Sequence, residues 1–438
     1  MLMKKVSPVI TIVLSFILVI LLGMVCLKLP ISIHEGYNVS WVDSFFVATS
    51  AICVTGLTPI ANIGATFTPF GKTILAVLIQ IGGLGCISVA TFLFLAVGAK
   101  LSLSNRYLLK EALNHDKIND ILKLLKSIVI ITISIELLGA FVSFFVFSQY
   151  YDFWSAIGIS VFHSISSFNN AGFDIIGDNS LINYTDNILL NVTTMVLIIL
   201  GGLGFVVIKD LIVKKFNYKK LSVHSKIVIT MTLSLIIIGT IMLKLSESNI
   251  SWLQAAFLSV SSRTAGFSTI SCAGLTAAGV MITCMLMLIG ASPSSTGGGI
   301  KTTTVYTMIK SMVSFARGKT TLVKGKKISE ETKLKAFTVF FFAISVILFT
   351  SLIILLIETN NERASFVSVM FETFSAFATV GSSMSLTPYL ASASKIVLCV
   401  LMFLGRLGPI TIMGMWNSKW NKPNVNDVEY LEEKIIIG

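Results

Sequence analysis

The chain has 438 residues, of which 54% are hydrophobic and only 12% charged, and its mean hydropathy is +0.88. Soluble domains carry about 25% charged residues, so this composition excludes an ordinary water-soluble protein. A membrane-spanning helix takes roughly 20 mostly apolar residues, and Val9–Leu27, Ile128–Phe147 and Ala336–Ile357 all reach that length. No small-residue cleavage site follows the first run, so we interpret it as a permanent helix rather than a signal peptide.

The net charge of +12 suggests a nucleic-acid ligand, but its distribution argues against one. Most Lys and Arg residues fall in five polar segments: 1–8, 100–126, 209–226, 310–335 and 419–438. Basic residues favour cytoplasmic loops. The charge therefore predicts a multi-pass protein of the inner (plasma) membrane with both termini in the cytoplasm.

Cysteine and histidine patterns point away from metal chemistry. The six cysteines form no CxxC pair and the four histidines no HExxH motif. A zinc site or a disulfide framework is not expected.

A short glycine-containing segment occurs four times in the chain. Each copy follows an apolar, aromatic-bearing stretch that is too short to span a bilayer: Trp41–Ile52, Trp154–Phe168, Trp252–Ser261 and Phe366–Phe377. Segments of that length form re-entrant half-helices. Each unit lies between two long apolar runs, so the pattern is spanning helix, half-helix, glycine strand, spanning helix. Four unrelated turns after four amphipathic segments are the alternative interpretation.

All four glycine strands fall on the outer side of the predicted topology. Non-helical backbone at membrane depth is tolerated where it is buried in protein or lines a watery path. Four such strands around one axis predict a ring of carbonyl oxygens that replaces the hydration shell of a cation. Glycine admits the φ > 0 conformations that turn carbonyls inward. The predicted filter residues are Val54, Thr55, Gly56, Asn170, Ala171, Gly172, Thr264, Ala265, Gly266, Thr379, Val380 and Gly381.

The second spanning helices share another small-residue element. It reads Gly82-Gly83-Leu84-Gly85, Gly201-Gly202-Leu203-Gly204 and Gly405-Arg406-Leu407-Gly408. Small residues let membrane helices approach closely. The fold class predicted is an all-α integral membrane protein with pseudo-fourfold symmetry around one pore. Its parts are repeat 1 (1–100), repeat 2 (101–220), repeat 3 (221–318), repeat 4 (319–416) and a cytoplasmic tail (417–438).

These residues resemble the Trk/Ktr/HKT superfamily of cation transporters, over essentially the whole chain. The match is closest to the membrane subunit of Ktr-type potassium uptake systems. It is carried by Ala51–Leu57, Ser166–Phe173, Ser262–Phe267, Phe374–Gly381, Gly405–Pro409 and Leu221–Lys226. The resemblance implies a homodimer with one pore per subunit, seated on a cytoplasmic ring of nucleotide-binding regulatory subunits of the KtrA or KtrC type. Some family members have serine at the first filter glycine and favour sodium, so Gly56 implies potassium selectivity.

The stretch 290–304 interrupts the second helix of repeat 3. Pro293 and three consecutive glycines cannot continue a stable helix. A phosphate loop is a poor alternative, because Ile300 separates Gly299 from Lys301 and breaks the GxxxxGK[ST] pattern. The resemblance implies a gate below the filter. The predicted gate residues are Gly290, Ala291, Ser292, Pro293, Ser294, Ser295, Thr296, Gly297, Gly298, Gly299 and Arg406.

Charged residues inside the predicted spans need partners or water. For Arg406 the alternatives are an electrostatic barrier in the pore and a structural contact with Glu136 or with backbone carbonyls. Arg263 and Glu372 are predicted to support the filter as a pair behind it. Asp43 is interpreted as a capping residue, and Asp174 either lines the outer mouth or is simply solvated.

The function predicted is K⁺ uptake by a channel-like, potential-driven subunit, with Na⁺ either an activator or a coupled ion. The predicted spans lack the paired catalytic groups that a membrane enzyme needs, so an enzyme is the weaker alternative. A symporter with inverted repeats is disfavoured because each unit starts on the same side. No cofactor is expected on this chain, since the nucleotide belongs to the regulatory partner. The apolar end of the tail, Ile435–Ile437, suggests docking onto another chain.

Overall fold

The structure is a computed structural model that describes residues 8–86, 88–91, 121–177 and 180–409. The predicted tail therefore lies outside the described residues. The α-helices, numbered in chain order, are α1 (Pro8–Lys28), α2 (Trp41–Cys53), α3 (Ile63–Thr66), α4 (Pro69–Leu84), α5 (Ile121–Phe147), α6 (Phe153–Phe168), α7 (Ile188–Leu203), α8 (Phe205–Val213), α9 (Val223–Ser246), α10 (Trp252–Thr264), α11 (Ala277–Leu288), α12 (Thr302–Ala316), α13 (Glu330–Ile357), α14 (Phe366–Ala378) and α15 (Ser392–Leu407). A short hairpin pairs β1 (Leu322–Val323) with β2 (Lys326–Lys327) between α12 and α13.

The first helix of each repeat is long and apolar enough to cross a membrane. Among the described residues these spans are Ile10–Lys28, Leu125–Phe147, Val223–Ser246 and Glu330–Ile357. Most of each span is not buried inside the chain, so its apolar side chains face outward, as expected for helices in lipid. The chain is a multi-pass membrane protein.

The half-helices α2, α6, α10 and α14 contain 13, 16, 13 and 13 residues. At 1.5 Å per residue they extend for only about 20–24 Å, which is less than the roughly 30 Å hydrocarbon core. Each begins at a polar N-cap whose side-chain oxygen accepts a backbone N–H three residues further on. These caps are Ser40, Asp152, Ser251 and Ser365. The four half-helices therefore start in the same way, as repeats should.

The second helices α4, α7 and α15 each contain 16 residues and end one residue before a glycine with positive φ. These glycines are Gly85 (φ +85°), Gly204 (φ +91°) and Gly408 (φ +81°). L-residues rarely adopt this conformation, so glycine ends the helix there. Around Gly204 the chain continues as α8, bent by 98° from α7. The sequence predicts continuous second spans, whereas the structure breaks each of these three.

The first glycine of the same element serves close packing, as the sequence predicts. A Cβ added at Gly82, Gly201 or Gly405 would collide with a backbone carbonyl of the half-helix in the same repeat. The carbonyls belong to Ile52, Phe168 and Phe377, each four residues before a predicted filter glycine. The second helix therefore packs directly against the last turn of its half-helix.

Contacts between repeats close a circle. The second helix of each repeat packs against the half-helix of the next: α4 on α6, α7 on α10, α11 on α14 and α15 on α2. Fully buried phenylalanines of the half-helices, among them Phe46, Phe168, Phe257 and Phe377, belong to the hydrophobic clusters of this region. Four parallel M1–P–M2 units, each a spanning helix, a half-helix, a strand and a second helix, thus surround one axis.

Candidate functional site

Four glycines meet where the half-helices end. Gly56, Gly172, Gly266 and Gly381 have φ values of +97°, +68°, +73° and +93°. A Cβ added at each would collide with the carbonyl oxygen just before the glycine of another repeat. The colliding oxygens belong, in the same order, to Ala171, Ala265, Val380 and Thr55. Each glycine faces the next and the last faces the first, so the four form a closed circle, which we call the glycine ring.

Backbone N–H groups next to the ring point back to the half-helices. They donate as follows: Thr55 N to Ser50 O at 2.8 Å, Ala171 N to Ser166 O at 2.8 Å, Gly266 N to Ser261 O at 3.2 Å and Val380 N to Ser375 O at 2.9 Å. The hydroxyl oxygens of Ser50 and Ser375 also accept from the ring glycines Gly56 and Gly381, both at 3.0 Å. Because these donors are already paired, the carbonyls are the backbone groups left to face the axis.

Repeats 1, 2 and 4 enter the ring through a predicted filter residue whose left-handed conformation the sequence did not predict. Val54, Asn170 and Thr379 have φ values of +56°, +59° and +52°. This conformation costs a non-glycine residue roughly 1–2 kcal/mol, so the surrounding packing must hold it. In repeat 3 the residue at the same position, Thr264, is still part of α10. A Val, Asn or Thr two positions before a glycine gives no sequence signal for a left-handed conformation.

A cavity of about 200 Å³, which we call the outer cavity, lies on the side of the ring away from the half-helix ends. All four ring glycines line it. The side chains around it are mostly small and polar. Asp174 is the only charged residue among those described as lining it. This is the location that the sequence offered as one of two alternatives for Asp174.

The interruption of repeat 3 spans residues 289–301, which we call the break loop. It ends three residues earlier than the sequence predicts, because Thr302–Thr304 form the first turn of α12. The loop folds back on itself through an Ile289–Ile300 bridge and a bond from Ala291 N to Gly298 O at 3.3 Å.

Repeat 2 holds one side of the break loop through three backbone hydrogen bonds. Ser292 N donates to Gly202 O at 3.0 Å, and Thr296 N donates to Gly201 O at 3.3 Å. In return, Phe205 N donates to Ser294 O at 2.9 Å. A helix break leaves backbone carbonyls and N–H groups without helical partners. The break at Gly204 thus provides the groups that bind the loop.

The loop also contacts the predicted filter segments, on the side of the ring nearer the half-helices. Gly298 N donates to the Thr379 hydroxyl at 3.0 Å, and the Thr296 hydroxyl donates to Phe168 O at 3.2 Å. The Asn170 amide lies 3.2 Å from the same Thr296 hydroxyl. The loop and the outer cavity therefore lie on opposite sides of the glycine ring along each strand.

Two basic side chains donate to carbonyls of the loop, Arg406 from repeat 4 and Lys301 from the loop itself. The Arg406 guanidinium donates to Thr296 O and to Gly82 O, with Gly83 O at 3.5 Å. The Lys301 ammonium donates to Gly297 O at 2.8 Å. Arg406 thus joins the break loop to the second helix of repeat 1, in agreement with the backbone-carbonyl alternative.

Glu136 is not the partner of Arg406. Its carboxylate accepts from Gln80 Nε2 at 3.2 Å and from Asn169 Nδ2 at 2.9 Å. It thereby links the second helix of repeat 1 to the end of half-helix α6.

The predicted pair of Arg263 and Glu372 is wrong, since the described structure contains no ion pair between them. Glu372 instead accepts from the Ser383 hydroxyl at 2.5 Å and the Thr387 hydroxyl at 2.9 Å, and from Met384 N and Leu386 N. These donors leave its buried carboxylate no need of a cation. Arg263 Nη2 lies 3.4 Å from Gly290 O at the break loop. Both residues thus lie beside the predicted filter segments, each with a different partner.

A family model described as the cation transport protein TrkH matches residues 7–227 and 216–415. The chain belongs to this cation transport family. Curated relatives cover nearly all of it. One is the potassium/sodium uptake protein NtpJ of Enterococcus hirae, 36% identical over 99% of this chain and 98% of its own length. Another is the Ktr system potassium uptake protein B of Bacillus subtilis, 37% identical over 97% and 95%. The resemblance predicted from the sequence is therefore confirmed.

The fold of this TrkH family member also matches a solved structure, the potassium transporter TrkH of Vibrio parahaemolyticus. The TM-score is 0.71 at 20% identity, over 96% of this chain and 87% of that one. This likeness supports the four-repeat fold independently of the sequence comparison.

Proposed function

We propose that the chain conducts K⁺ through the glycine ring as the membrane subunit of a Ktr-type potassium uptake system. The observation that carries the proposal is the closed circle of four positive-φ glycines, each against the carbonyl of the next repeat. A ring of backbone carbonyls replaces the hydration shell of K⁺. Relatives whose names specify potassium uptake match the chain over almost its full length.

The driving force in this proposal is the membrane potential, at about 2.3 kcal/mol per charge per 100 mV. The chain then needs neither ATP hydrolysis nor catalytic groups and acts as a transporter rather than an enzyme. Sodium acts as an activator or a coupled ion. We place both termini in the cytoplasm and the protein in the plasma membrane, as a homodimer on a ring of nucleotide-binding regulatory subunits.

The break loop and Arg406 form the gate in this proposal. The loop lies against the half-helix ends of the filter segments, where it obstructs the path of an ion that has passed the ring. Its support is unequal: backbone hydrogen bonds hold it to repeat 2, whereas the side chains of Arg406 and Thr379 hold it to repeat 4. Side-chain contacts break and re-form more readily than a set of backbone hydrogen bonds. We therefore propose that the loop stays attached to repeat 2, which acts as its hinge when the gate opens.

The test is K⁺ and Na⁺ flux into liposomes containing purified protein, with wild type compared with Gly56→Ser. A serine at φ +97° collides with Ala171 O, so the ring must open or turn. We expect the K⁺ to Na⁺ flux ratio to fall on the order of tenfold, since each 1.4 kcal/mol of lost discrimination is a factor of ten.

Gly36→Ser is the matched control. Gly36 also has a positive φ (+88°), but no atom lies within 4 Å of its added Cβ. This variant carries the same backbone strain away from the ring and should keep the wild-type flux ratio. Equal K⁺ and Na⁺ flux in the unmutated protein would refute the proposal.

A further inference from the structure

Four residues occupy equivalent places two positions after the ring glycines. They are Thr58, Asp174, Ser268 and Ser383, and all four line the outer cavity. Three carry hydroxyls and one a carboxylate, so a second tier of side-chain oxygens lies above the ring. We call these four residues the outer tier.

We propose that the outer tier is a binding site for a partly hydrated monovalent cation, in which Asp174 supplies the charge. The inference rests on the proposed function and adds a site before the ring. It makes Asp174 the residue that sets how well the protein collects its ion from dilute solution.

The cavity has the room and the lining for such an ion. Its volume of about 200 Å³ accommodates an ion with several waters, since one water takes about 30 Å³ of liquid. No basic side chain is among the residues described as lining it. Hydroxyl and carboxylate oxygens are suitable ligands for a hard cation that still keeps some of its water.

A second carboxylate stands directly behind the tier. Ser383 donates its hydroxyl proton to Glu372 at 2.5 Å, and Glu372 also accepts from the Met384 and Leu386 backbone. Glu372 therefore holds the segment after Gly381 and fixes the position of Ser383 in the tier. Asp174 Oδ1 accepts from Ile176 N at 3.4 Å, which anchors the carboxylate at the rim.

The position of Asp174 predicts an effect on ion capture rather than on selectivity. A carboxylate at a narrow mouth raises the local cation concentration and the rate of capture, and salt screens it. The ring carbonyls, two residues away, discriminate between ions by direct contact. Removal of the charge should therefore change half-saturation and leave the ion preference intact.

The experiment measures K⁺ flux against K⁺ concentration in liposomes at low ionic strength for Asp174→Asn. We expect the half-saturating K⁺ concentration to rise on the order of tenfold, with maximal flux and K⁺ to Na⁺ ratio unchanged. The difference should shrink at 0.15 M ionic strength with an impermeant salt, where the Debye length is about 8 Å instead of about 30 Å at 0.01 M.

Two further variants keep the test decisive. Asp186→Asn removes the same charge from the exposed loop of the same repeat, outside the cavity, and should leave half-saturation unchanged. Ser268→Asp adds a second carboxylate to the tier and should lower the half-saturating concentration below that of wild type. This gain cannot arise from misfolding.

Three results would overturn the inference. They are an unchanged half-saturation in Asp174→Asn, an equal rise in Asp186→Asn, and a loss of maximal flux or selectivity without a change in half-saturation. Failure of the proposed function is distinguishable, because the wild-type protein itself would then carry no K⁺.

Discussion

Repeats 1, 2 and 4 differ from repeat 3 in the half of the molecule below the glycine ring. The three similar repeats have second helices of 16 residues that end at a positive-φ glycine. In repeat 3 the helix α11 has 12 residues and runs into the break loop. Yet all four repeats contribute the same positive-φ glycine to the ring. The ring thus consists of four equivalent glycines, whereas among the described residues beneath it the second helix of repeat 3 differs from the other three.

The largest effect on stability is expected where the three similar repeats pack most closely. A Cβ at Gly405 meets the Phe377 carbonyl, and backbone cannot move aside as a flexible side chain does. Gly405→Ala should destabilise the protein by about 1–3 kcal/mol, measured as a lower melting temperature in detergent. Gly158→Ala is the control, because its added Cβ meets nothing within 4 Å. The packing argument fails if both variants melt at the same temperature.

Arg406 tests the asymmetric region. Its guanidinium group donates both to Thr296 O of the break loop and to Gly82 O of repeat 1. A lysine ammonium cannot reproduce that geometry. Hydrogen bonds from charged groups contribute about 1.5–3 kcal/mol. Loss of the link should therefore favour the released loop by roughly tenfold or more. We expect higher basal K⁺ flux in liposomes for both Arg406→Lys and Arg406→Gln.

The two Arg406 variants also separate the anchor from a charge barrier. Wild-type flux in the lysine variant with raised flux in the glutamine variant would favour the barrier. Lower flux and lower melting temperature in both would leave Arg406 a structural residue only. Arg363→Gln is the control, since Arg363 lies 3.8 Å over the Tyr389 ring, away from the loop.

A smaller effect is expected at the contact between the loop and repeat 4. Thr379→Ala removes the hydroxyl that accepts from Gly298 N, while Thr379→Ser keeps it. One neutral hydrogen bond contributes about 1 kcal/mol, so basal flux should rise a few-fold in the alanine variant. The serine variant should stay near wild type. Equal flux in the two would mean that this hydroxyl does not hold the loop.

The smallest effect concerns the contact between repeats 4 and 1 at the start of half-helix α2. Lys395 lies 2.8 Å from Asp43, and both side chains are largely shielded. Lys395→Gln should lower stability by no more than about 1 kcal/mol, and high salt should reduce the difference. Lys335→Gln breaks the exposed pair with Glu331 and should have no measurable effect. A lower melting temperature than wild type in the Lys335 variant, with no change in the Lys395 variant, would reverse this ranking.

The sequence predicts the symmetric region well. Aromatic-bearing half-helices, glycine positions and the interruption of repeat 3 are all local patterns, and the bounds of the half-helices agree within three residues. Side-chain partners were less predictable. Whether Arg263 faces Glu372 or Gly290 depends on the rotation of α10 about its axis, which the apolar pattern does not fix. The partners of the break loop are backbone groups of another repeat, freed by a helix break at Gly204 that the pattern alone did not reveal.

The covalent linkage of the four repeats has a consequence for how such a ring can be modified. In an assembly of four identical subunits, every substitution appears four times around the axis. In this single chain a substitution changes only one of the four repeats around the axis. A single carboxylate such as Asp174 can therefore lie beside three hydroxyls. The same freedom allows one break loop beneath the ring, where four copies would collide on the axis. Duplication followed by divergence thus permits the charge around the axis, and the loop beneath the ring, to be changed in one repeat at a time.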